Sequence, residues 1–166
     1  MPHDAPSALE ILTADYVQTL ADEDAYTPVL TAATTNPNIG STGTISGYWA
    51  RNGHKIDFWV AIAMSGTGFS AGSGLYSITL PFPADLSAMV ANAASGGRGG
   101  QLGAGTYRAG DTPATNSRIV TVQLATASTV YLIQPSMVAI TSTTTGLTSG
   151  TELIFQGSYI ADPAGL

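Results

Sequence analysis

From residue 55 to residue 64 the side chains sort without interruption onto two sides. Ile56, Phe58, Val60, Ile62 and Met64 take one, and Lys55, Asp57, Trp59, Ala61 and Ala63 take the other. Strand side chains point alternately to opposite faces, whereas helical residues two apart lie about 200° apart around the axis, so this pattern fits a strand and no helix. The large apolar side belongs in a core. The other side, with Trp59 ahead of two alanines, is flat and carries little charge. A surface of that kind predicts cover by another sheet or another subunit, which makes Trp59, Ala61 and Ala63 candidate oligomer contacts. Residues 47–51 and 74–80 flank the strand as its expected partners in a meander, with Asn52-Gly53 as a tight turn that tolerates positive φ.

The rest of the chain offers the same kind of element. Residues 26–33 read as a strand with Pro28 at its entry, residues 36–40 as a turn, and residues 43–51 as the strand before the alternating one. Pro81 and Pro83 stop the strand at 74–80, and residues 85–94 read as either a brief helical turn or an irregular crossing, with the loop favoured. A glycine-rich stretch leads into a strand at 105–109, and residues 119–124, 130–133 and 152–160 complete the set. Eight or nine short strands punctuated by turns predict an all-β chain: an antiparallel β-sandwich, jelly-roll-like, over residues 26–166.

Charge separates off what comes before. Six of the eleven acids, Asp4, Glu10, Asp15, Asp22, Glu23 and Asp24, precede residue 25, and no Lys or Arg occurs before Arg51. Residues 1–25 therefore read as an acidic N-terminal arm containing one short helix. Ser7 and Glu10 fit a capping box; alternatively Thr13 caps a helix over 14–20. Leu9, Leu12, Tyr16, Val17 and Leu20 fall near helical spacing and would need a surface to rest on, since so short a helix is marginal alone. Two readings of the arm stand side by side: a solvated leader, or a docking arm for a basic protein surface.

Composition limits the chemistry. Only 10% of residues are charged, against about 25% in ordinary domains, which favours a surface partly buried in an assembly. With net charge −6, nucleic-acid binding is not expected. With no cysteine there is no disulfide and no thiolate metal site. No basic-then-apolar leader and no apolar run of spanning length are present, so neither export by the usual signal nor membrane insertion is expected.

His3 and His54 are too few for a metal cluster, GxSxG is absent, and the carboxylates are sparse. Asp57 beside Lys55 and Arg51 reads as a surface ion pair. The sequence thus predicts no catalytic residue, no metal and no cofactor. The run GGRGGQLGAG at residues 96–105 lacks the Lys-Ser/Thr ending of a phosphate loop and reads as a loop. Arg98 at its centre, together with Trp49 and Tyr107, remains a candidate for ligand contact, for instance with a host-surface glycan.

Five segments carry a family likeness: YTPVLTA at 26–32, GTISGYWARNG at 43–53, the alternating strand, GSGLYSITLP at 72–81 and LIFQGSY at 153–159. Together with LTADYVQTL at 12–20, the chain resembles tailed-bacteriophage virion surface proteins of the head-fibre, capsid-decoration and minor-tail kinds. The resemblance implies a β-sandwich head, commonly a homotrimer, held to the virion by its N-terminal segment and lacking catalytic residues. The partners it implies are further copies of the chain and the major capsid protein or another virion protein. It also implies a place at the particle surface after synthesis in the host cytoplasm. No heptads or repeats separate arm from head, so a compact knob is expected rather than a long fibre. The leading expectation is capsid decoration; the alternative is a receptor-binding, carbohydrate-recognising module of a tail or baseplate.

Overall fold

The computed structural model describes residues 21–90, 100–108, 117–133 and 147–166. Within them the chain is almost entirely β. Its strands are β1 (Ala21–Tyr26), β2 (Leu30–Ala32), β3 (Thr44–Asn52), β4 (Lys55–Ala63), β5 (Tyr76–Thr79), β6 (Gln101–Arg108), β7 (Ser117–Thr126), β8 (Thr129–Ile133) and β9 (Glu152–Ile160). One short helix, α1 (Leu86–Val90), and a 3-10 turn at Pro163–Gly165 are the other regular elements. All described pairings are antiparallel, in the order β1-β3-β4-β9-β6-β7-β8-β5-β2. The expected antiparallel all-β class is what the structure shows, built as one curled sheet.

How far the sheet curls follows from connectivity. β1 and β2 stand at opposite ends of the strand order, yet only Thr27, Pro28 and Val29 separate them. Four residue steps span about 14 Å at most. The two ends of the sheet are therefore brought together, and residues 21–32 act as one bent strand that pairs first with β3 and then with β5. One end of the roll is closed by the connections at residues 33–43 and 64–75, which run alongside each other. Their backbone bonds include Asn38 N–H to Ser70 O at 2.8 Å and Ser65 N–H to Ile39 O at 2.9 Å.

A single core fills the roll. Ile56, Phe58, Val60 and Ile62 of β4 meet Tyr76 and Ile78 of β5, Val120 and Val122 of β7, and Leu153 and Phe155 of β9, all buried. Phe58 stands at the centre, edge-on to Phe155 and Tyr159 with ring centroids 6.4 and 5.8 Å away. Room for it comes from Gly157, where a Cβ would lie 3.0 Å from the Phe58 ring. Gly103, paired with it across β6 and β9, lets the two backbones approach, since a Cβ there would collide with the carbonyl oxygen of Gln156.

Several expectations change. The meander forms only on one side: β3 pairs with β4, but the other neighbour of β4 is β9, while β5 lies between β8 and β2. The hairpin loop is Gly53-His54, with Asn52 already paired to Lys55, and Gly53 takes φ +61°. Residues 21–25, read as part of the arm, are strand β1. The segment read as a loop after Pro83 begins helix α1, because the Asp85 carboxylate accepts from the backbone N–H groups of Ser87 and Ala88 at 2.8 and 3.1 Å. The expected arm helix at residues 1–20 lies outside the described residues.

Candidate functional site

Cross-strand pairing stacks the outward residues of β3, β4, β9, β6 and β7 into rows. One row runs Tyr48, Trp59, Gln156, Ala104 and Thr121; the next runs Ser46, Ala61, Ile154, Thr106 and Ile119. Neither row contains a charged residue. The flanking rows do, in compensated form: Lys55 Nζ lies 2.8 Å from Asp57 Oδ1 at one end, and Arg108 Nη2 lies 2.9 Å from Glu152 Oε1 at the other. Both pairs are about half exposed, so each contributes no more than about 1 kcal/mol to folding. Their importance here is that the charges of these flanking rows compensate one another.

The central rows are also where apolar surface meets water. Trp59 and Tyr48, directly paired across β4 and β3, are each 40% exposed, Ile154 is 42% and Ile119 is 65% exposed. Ala61 and Ala63, whose side chains share this face, are half-buried. Small side chains leave a shallow groove of about 410 Å³ over β4, β9 and β6, lined by Asp57, Ala104, Gln156 and Ser158. A second shallow recess beside it is bordered by Trp59, Thr106 and Ile154. At the edge of the face the Tyr48 hydroxyl donates to the Glu23 carboxylate, and that bond raises the phenol above its ordinary range.

The three residues read as oligomer contacts are thus brought together on one face, and the pattern that found Trp59 missed its partners Tyr48, Ile154 and Ile119. The strand that carries Ile154 was read with its bounds, 152–160, but the run Leu153-Ile154-Phe155 does not say which of the three points outward. The residues read as ligand contacts are not brought together. Tyr107 is fully buried in the core and offers no surface to a ligand. Trp49 sits on the inward side of β3, partly buried, with its ring edge-on to Phe82 at 4.8 Å. Arg98 and the proposed docking residues Leu9, Leu12, Tyr16, Val17 and Leu20 lie outside the described residues. Asp57 and Lys55 form the surface pair expected of them, and His54 is exposed at its turn. Among the described residues no three His, Asp or Glu side chains gather as a metal site. No described helix is long and apolar enough to cross a membrane.

Both free edges of the sheet are occupied by their own side chains. Asp22 and Asp24 accept hydrogen bonds from the N–H groups of Glu23 and Ala25 at 3.0 and 2.7 Å, and Asn36 Oδ1 accepts from Ala32 N–H at 3.0 Å. These are donors that an added strand would otherwise use.

No protein-family model matches this chain, and no curated protein sequence matches it. Among solved structures it is similar to the crystal structure of Dettilon tailspike protein, with a TM-score of 0.51 and 19% identity over 84% of this chain. The match takes up 24% of that protein, so the chain spans about a quarter of its structural neighbour's length. The likeness is one of fold: an antiparallel all-β module within a larger tailspike.

Proposed function

We propose that this chain is a non-enzymatic structural protein of a bacteriophage virion surface, working as an oligomer and attached to the particle through its N-terminal arm. The observation that carries the reading is the curled all-β fold shared with part of a tailspike protein, set beside the virion-protein resemblance of five separate segments. The apolar face of an otherwise acidic chain, its two central rows free of charged residues, supports the oligomer. Capsid decoration, as a homotrimer docked on the major capsid protein, is the position that the sequence resemblance favours. The second reading, a receptor-binding module of a tail that meets a host-surface glycan, is supported by the tailspike likeness. Copy number separates them, because a decoration protein is present in hundreds per particle and a tail protein in a handful.

The arm is tested by truncation. A chain lacking residues 1–20 keeps β1 and all the described core, so it should fold with a melting temperature within a few degrees of the full chain. It should also be missing from particles assembled in its presence. Incorporation at the level of the full chain would remove the docking role of the arm.

A further inference from the structure

We infer that the outer face of β3, β4, β9, β6 and β7 is where this chain packs, sheet against sheet, on a second copy of itself. The inference deepens the oligomer reading above and rests on that reading, though not on the particle. Three independent features of the molecule select the occupant.

The first is where exposed apolar surface lies. Of the eight large hydrophobic residues exposed among the described residues, four (Tyr48, Trp59, Ile119 and Ile154) sit in two adjacent rows of this one face. Five strands at about 4.8 Å and four rows at about 6.8 Å cover roughly 24 by 27 Å, on the order of 600 Å² before side-chain relief is added. That approaches the ~800 Å² that each partner of a stable interface contributes.

The second is self-complementarity. Closed association of identical copies needs a projection on each copy that fits a recess on the next. Here the exposed Trp59 indole lies beside the groove over Ala104 and Ser158, so copies related by a rotation axis can seat the indole of one in the groove of the next. Charge agrees with shape. The chain as a whole carries −6, yet on this face the charges of Lys55 and Asp57 and of Arg108 and Glu152 compensate one another, and the Glu23 carboxylate beside Tyr48 stands at the edge, so two copies meet over the central rows with little repulsion.

The third concerns the other route by which β proteins associate. Pairing edge to edge requires free strand N–H groups, and on β1 and β2 Asp22, Asp24 and Asn36 already bond to them. With those edge donors engaged, the face is the surface among the described residues on which sheets can best join.

The test is sedimentation of the full chain from about 1 to 100 µM. The wild type should sediment as a small whole multiple of 16.9 kDa. Trp59→Glu and Ile154→Glu should each raise the dissociation constant at least 100-fold, while circular dichroism stays native. Val29→Glu, at a residue 52% exposed away from the face, should associate like the wild type. Should either charge variant fail to fold, Ala104→Trp, which fills the groove from an exposed position, should give the same loss. A wild type that stays at 16.9 kDa up to 100 µM overturns the inference, as does undiminished association of the folded variants. Binding of an immobilised polysaccharide by a monomeric wild type, lost in Trp59→Glu, would overturn it as well by giving the face to a glycan. A chain that self-associates through Trp59 but is absent from particles would fail the virion reading alone.

Discussion

Two buried tyrosines, Tyr76 and Tyr159, and the partly buried Tyr26 show how single residues set the chain's tolerance of alkali. Burial pushes Tyr76 up to about 12, with the nearby Tyr107 phenol adding to the effect. Tyr26 and Tyr159 are raised further, also chiefly by burial. In the unfolded chain these phenols ionise near pH 10, so above that pH the unfolded state holds fewer protons than the folded one. Stability is therefore flat with respect to these groups below pH 10 and falls as pH rises through about 12. The three differ in their bonding. Tyr159 donates to Phe82 O at 2.8 Å and accepts from Phe82 N–H at 3.2 Å, and Tyr76 donates to Ala71 O at 2.6 Å. The Tyr26 hydroxyl is buried with no partner among the described residues. Tyr26→Phe should therefore leave stability at pH 7 unchanged or raise it by about 1 kcal/mol, and should make the decline above pH 10 shallower. Urea melts at pH 7 and pH 11 check both parts. Loss of more than 1 kcal/mol at pH 7 would mean that the hydroxyl has a partner.

At the scale of elements, β1 is the informative strand. It is built from the six residues ADEDAY, a composition that strands ordinarily avoid, and that is why its sequence reads as the end of an acidic arm. Only its place at an edge makes sense of the acids. Asp22 and Asp24 turn back onto the N–H groups of the following residues and block strand addition. Replacing both with alanine frees those donors. The variant should keep its native circular dichroism and aggregate faster, with thioflavin-positive material appearing several-fold sooner on concentration. Aggregation at the wild-type rate would show that the edge needs no such protection.

Elsewhere the sequence was easier to read. β4 was legible because its large apolar residues recur at every second position, and β9 was bounded to the residue. The partner of β4 was not legible: pairing between strands ninety residues apart depends on how the whole sheet curls. Tyr107 was misplaced for a related reason. Gly103 and Gly105 share its side of β6, so no large neighbour marks that side as the inward one, and the register shift between Gln101 and Gly103 breaks the alternation. The α1 segment carried its own signal in Asp85, an N-cap residue two before Ser87, which was outweighed by the prolines before it.

For the whole molecule, a sheet closed on itself by the bent strand at residues 21–32 leaves few ways to interact. Its interior is filled by side chains and its edges carry their own caps. Among the described residues, the outer face of β3, β4, β9, β6 and β7 gathers four of the eight exposed large hydrophobic residues on a chain of net charge −6. A small module of this kind acts through the surfaces it presents, and the proposed place for it is the surface of a phage particle. The most direct measurement is to purify intact particles from the cells that produce this chain and locate it by quantitative mass spectrometry and cryo-electron microscopy. The account predicts that the chain copurifies at fixed stoichiometry and that the β module resolves as density on the outside of head or tail. Its absence from purified particles, with the protein left in the soluble lysate, would contradict the account.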